Sequence, residues 1–85
     1  MDNRLEVSIE NGTKIIVRVL DIIDSNVFNK SFIIYNVEGE EETIFGSILV
    51  ETDDSYTFET VTNPEEIDYI NSEINRVARE QRLIQ

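Results

Sequence analysis

The sequence contains no cysteine. Disulfides and thiolate-ligated zinc are therefore excluded, and with them the small secreted scaffolds that are stapled by disulfides. It also contains no histidine, which removes the commonest general base and the commonest transition-metal ligand. The three glycines are isolated from one another, so no phosphate-cradling loop is present. The longest clean apolar run, "FIIY", is four residues, far short of the ~20 needed to span a bilayer. The N-terminal stretch "MDNRLEVSIE" lacks the basic-then-apolar pattern of a secretory signal. These absences lead to the expectation of a soluble cytoplasmic protein with no membrane association.

Positive charge is missing from the middle of the chain. From Ser31 to Asn75 there are 12 acidic residues and neither Lys nor Arg, while the rest carries 6 acidic and 7 basic groups. The whole net charge of −11 therefore arises in that segment. Such a field repels nucleic-acid backbones and anionic lipid, and attracts cations or a basic protein. It also keeps a small protein in solution.

What is present suffices for one small domain, residues 1–85, with 40% apolar residues. "LEVSI" (5–9) alternates apolar and polar residues as a half-buried strand does. Asn11-Gly12 follows, a strong hairpin signal because both residues tolerate positive φ. "KIIVRVLDII" (14–23) reads as the returning strand. Residues 24–31 read as a polar turn region with a bulge and a tight turn at Asn29-Lys30. "FIIYNV" (32–37) is a third strand, "EGEEE" a turn, and "TIFGSILVE" (43–51) a fourth strand. "TDDS" (52–55) is another turn, and "YTFETV" (56–61) a fifth strand.

Then comes a helix, predicted over 63–83. Asn63 is its N-cap, Pro64 takes the first helical position and Glu66 is the capping-box acid. Ile67, Ile70, Ile74, Val77, Ala78 and Ile84 fall on one stripe. Arg76, Arg79 and Arg82 lie near its C-terminus, where they complement the helix dipole and can pair with Glu73 and Glu80. The predicted class is α+β: an antiparallel meander of about five strands, spanning 5–61, with one C-terminal helix packed on one face.

Strands two to four are apolar on both faces, and one helix covers only one face. Phe32 and Ile34 oppose Ile33, Tyr35 and Val37; Ile44, Ile48 and Val50 oppose Phe45 and Leu49. Three arrangements would close the second face: curling of the sheet into a barrel, a homodimer, or a partner protein. Gly46 in mid-strand suits a bend that lets the sheet curl.

No residue pattern points to catalysis. Without Cys or His, the serines have only Lys14 and Lys30 as side-chain bases, both at strand ends. Carboxylate pairs are plentiful, but an acid–base site needs a walled cleft, which so short a chain scarcely has room to build. The protein is therefore read as not an enzyme, with no cofactor and no metal site. The candidate partner surface is Glu38, Glu40, Glu41, Glu42, Asp53 and Asp54. These are turn residues, and consecutive strand carboxylates point to opposite faces, so they converge poorly on one ion.

The expected function is a protein-interaction module that docks an unidentified protein partner or self-associates. The alternatives are a nucleic-acid mimic that fills the basic groove of another protein and a weak divalent-cation binder. From Phe32 to about Ile74, the succession "FIIY", an acidic turn, "IFGS", "FETV" and "NPEEIDYI" resembles the YrzB-like family of small acidic bacterial proteins. The family often carries a basic residue after that serine and a Trp early in the helix, where this chain has Ile48 and Ile67. The resemblance implies a cytosolic bacterial protein with no assigned activity and no functional residues to carry over.

Overall fold

A computed structural model describes residues 3–9 and 12–84, with side chains described as far as Gln81. The elements are β1 (Arg4–Ser8), β2 (Lys14–Ser25), β3 (Lys30–Val37), β4 (Glu40–Glu51), β5 (Tyr56–Glu59) and α1 (Pro64–Ile84). Each strand pairs antiparallel with the next, and the ring closes between β1 and β5. A meander of five strands brings its first and last strands together pointing the same way. The closing contact, Ser8 against Thr57, is accordingly parallel.

Closure of the ring settles where the second apolar face goes. Val7, Val17, Ile33, Tyr35 and Phe58 fill the barrel. Phe32, Ile34, Ile48, Ile70 and Val77 form a second layer between the barrel wall and α1. β3 serves both layers, and its four residues Phe32–Tyr35 are all buried. Curling is thus the arrangement realised, and neither face of β3 is left to a dimer or a partner.

β2 reaches both layers by means of an irregularity. Its register with β3 shifts between Val19 and Asp21. Before the shift Ile15, Val17 and Val19 point inward; after it Leu20 and Ile23 pack in the helix layer. An extra residue in one strand reverses the facing of all that follow. The bulge expected in 24–31 therefore lies upstream, at Leu20. β2 itself runs on to Ser25, which confines the turn to residues 26–29. Asn29, with φ 56°, is its left-handed residue, a conformation Asn tolerates. Glu10 and Asn11 of the first hairpin lie outside the described residues. Ile9 N–H donates to Thr13 C=O (2.9 Å) across that turn, and Gly12 has φ 86°.

Asn63 caps α1 as expected: its Oδ1 accepts from Glu65 N–H (2.9 Å) and Glu66 N–H (3.4 Å). The Glu66 carboxylate is committed elsewhere. It is buried and takes Lys30 Nζ at 2.9 and 3.1 Å, tying the helix start to the start of β3. The buried stripe centres on Ile70 and Val77. At 100° per residue Ile67 lies roughly 70° from that centre, and it is 37% exposed. Tyr69 occupies the opposite margin and packs its ring against Phe28 and Phe32, with centroids 5.5 and 5.4 Å away.

Candidate functional site

The six acidic candidates fall into two groups. Glu38 and Gly39 form a two-residue turn between β3 and β4, with Gly39 at φ 94°. Only glycine takes that conformation without strain. Glu40, Glu41 and Glu42 lie within β4, which begins three residues earlier than the apolar pattern suggested. All four glutamates are exposed. Asp53 and Asp54, also exposed, sit in the β4–β5 turn. Thr52 N–H donates to Ser55 C=O (2.8 Å) and Ser55 N–H to Thr52 Oγ1 (3.2 Å), so that turn is closed by its own residues.

The two groups stand at opposite ends of β4. A strand rises about 3.3 Å per residue, so the two ends of this one are up to ~36 Å apart. No single small ligand can touch both. Among the described residues, no three carboxylates converge as a metal site would require.

The glutamate arm has a local structure that the alternation did not reveal. Tyr35 pairs with Phe45 and Val37 with Glu40, so one residue of β3, Asn36, stands opposite residues 41–44 of β4. The ladder cannot be made across that mismatch. The buried Asn36 side chain supplies donors in its place: Nδ2 donates to Thr43 C=O (2.9 Å) and Glu41 C=O (3.2 Å). This holds an outward bulge on which Glu41 and Glu42 are displayed. Beside it lies a cleft of about 240 Å³ lined by Arg4, Arg18, Asn36, Glu38 and Glu41 among others. Arg4 and Arg18 are direct cross-strand partners. The two cations thus flank the arm, and the acidic segment is not isolated from positive charge in space as it is in sequence.

The arginines of the helix divide differently. Arg76 bridges Glu73, Glu80 and Asp21 of β2. The hydrogen bond to Asp21, then those to Glu73 and Glu80, push the guanidinium pKa above its ordinary value. The pairing with Glu73 and Glu80 is as expected, while Asp21 is a partner 55 residues away that no helix spacing could disclose. Arg79 is exposed, and the Arg82 side chain lies outside the described set. Burial, and then the Glu73 carboxylate, raise the Tyr69 pKa from its ordinary 10.0.

In the barrel the Tyr35 ring stacks on Phe45 and packs tilted against Phe58, with centroids 5.7 and 4.6 Å away. Tyr35 Oη lies 2.9 Å from Ser47 Oγ, a buried polar pair inside an otherwise apolar layer. No helix among the described residues is long and apolar enough to cross a membrane. No protein-family profile matches the chain, and neither curated proteins nor solved structures give a match.

Proposed function

We propose that this chain is a non-enzymatic interaction module of the cytoplasm that receives a basic protein through the β3–β4 arm. One observation carries the reading: Glu38, Glu40, Glu41 and Glu42 are all exposed on a turn and bulge that Asn36 holds in shape. A preformed, charged projection loses little conformational entropy on binding and steers an oppositely charged partner at long range. Both apolar faces of β3 are used within the chain, so charge is favoured over an apolar sheet face as the basis of docking.

The test is capture on immobilised protein, comparing wild type with E38Q/E40Q/E41Q/E42Q and with D53N/D54N. A partner held by wild type and D53N/D54N but lost by the quadruple variant supports the arm. It should also elute at about 0.5 M salt, where the Debye length is only ~4 Å. A partner indifferent to the quadruple change overturns the proposal. Displacement of the partner by duplex DNA would favour the nucleic-acid-mimic reading instead.

A further inference from the structure

β2 is longer than the strands beside it. β1 pairs with it from Lys14 to Arg18, and Val19 N–H donates to Asn3 C=O (2.7 Å). Beyond that point β2 pairs with β3 on one side as far as Ser25. Among the described residues, no strand pairs with the other edge of Ile22–Ser25.

The surroundings of this edge are mostly apolar at one end, where Arg4 is the one cation among the described residues, and acidic at the other. Ile22 is 49% exposed and lines a groove of about 450 Å³ with Leu5, Val19, Leu49 and Tyr56, with Asn3 and Arg4 also on its wall. A second groove, of about 510 Å³, shares Leu49 and is bounded by Asp24, Glu51 and Glu59. All three carboxylates belong to exposed residues. The cation in that second groove, Lys30, is held by Glu66.

We infer that the Ile22–Ser25 edge of β2 accepts an extended segment of another protein as an added strand. The segment places an apolar residue over Ile22 and Lys or Arg beside Asp24, Glu51 and Glu59. Strand addition draws its affinity from main-chain hydrogen bonds and its selectivity from alternate side chains. The edge supplies the first, and the paired grooves supply the second. A second copy of this chain is a poor occupant. Two copies paired along this edge would bring together surfaces that each carry Asp24, Glu51 and Glu59, and like charges placed opposite one another destabilise a sheet. Each copy also carries a net charge of −11. The complementary occupant is therefore a basic, β-prone segment. This surface is separate from the β3–β4 arm and goes beyond the function proposed for it.

The experiment titrates the full ¹⁵N-labelled chain with a synthetic peptide of about ten residues alternating valine and lysine, long enough to span the edge. Two further versions are N-methylated on one or the other alternate set of amides. Only one set faces the protein edge in an added strand. The expected result is saturable shifts confined to residues 20–25 and the neighbourhoods of Leu49 and Tyr56. One methylated version should bind about tenfold more weakly than the other, and Ile22→Lys should abolish binding. E38Q/E40Q/E41Q/E42Q should leave binding nearly intact, which separates this site from the arm. Equal binding by both methylated versions, shifts centred on Glu38–Glu42, or no binding would each overturn the inference. So would a dimer, seen by sedimentation, that Ile22→Lys dissolves.

Discussion

A Cβ atom built on Gly46 would lie 2.5 Å from Cγ1 of Ile70. No side chain tolerates that approach, and Cγ1 is bonded directly to the Cβ of Ile70, so it is not a yielding tip. Helix α1 therefore crosses β4 at the one position without a side chain. Gly46→Ala should force α1 outward and destabilise the fold by about 1–3 kcal/mol, as overpacking of a core does. Chemical denaturation measures this. Ile70→Val in the same background should restore little, because it leaves a branch carbon at Cβ. Ile70→Ala relieves the clash but opens a cavity of its own.

Inside the barrel, Tyr35 and Ser47 satisfy one another at 2.9 Å. Removing one hydroxyl leaves its partner buried without that bond. Tyr35→Phe alone should cost about 1–3 kcal/mol, since an orphaned polar group costs more than a hydrogen bond returns. Tyr35→Phe with Ser47→Ala should cost less than the sum of the single changes. A double-mutant cycle by urea denaturation gives the coupling energy, and a value near zero would mean that water or another group replaces the lost partner.

Much of this architecture could be read from the residues. Period-two alternation placed β1 and β5, runs of apolar residues bounded by turn residues placed β2 to β4, Gly39 placed a hairpin turn, and Asn63-Pro64 placed the helix start within a residue. What escaped depends on residues distant in sequence. The contact of Ser8 with Thr57 closes the barrel, and Glu66 finds Lys30 36 residues away. Neither leaves a periodic trace. The mismatch opposite Asn36 escaped for another reason: a polar residue at a strand end looks like the start of a turn, and only the register shows it to be a buried donor. The exposure of the six acidic candidates was legible from turn chemistry. Their division into two groups was not, because it follows from the length of β4.

Asn36 ties the candidate arm to the stability of the sheet. Its two donated bonds hold the carbonyls of Glu41 and Thr43. Asn36→Asp keeps the size but turns Nδ2 into a second acceptor facing two carbonyl oxygens, and adds charge in a cleft that holds Glu38 and Glu41 as well as Arg4 and Arg18. It should destabilise by about 1–3 kcal/mol, more than Asn36→Ala, because the carboxylate faces two carbonyl oxygens, with Arg18, the cross-strand partner of Asn36, offsetting part of the cost. The excess of Asp over Ala should shrink as acid protonates the group. Thermal melts of both variants at neutral and acidic pH check this. Identical melts at neutral pH would show that Asn36 is a spacer and not a donor.

Glu40, Glu41 and Glu42 carry a second physical consequence apart from any partner. β5 pairs with β4 only from Ile48 onward, and among the described residues no strand lies along the outer edge of Glu40–Thr43. Proteins blunt such edges with charge and with bulges, and this one has both. Edge protection needs charge of either sign, whereas docking of a basic partner needs negative charge. Two triple variants separate these roles. E40T/E41T/E42T removes the charge and installs β-prone residues, so it should self-associate as concentration rises, as measured by light scattering. E40K/E41K/E42K keeps the edge charged and should stay monomeric while losing a basic partner. If the Thr variant also stays monomeric, the bulge held by Asn36 is sufficient protection. The glutamates are then left with partner binding and solubility as their roles.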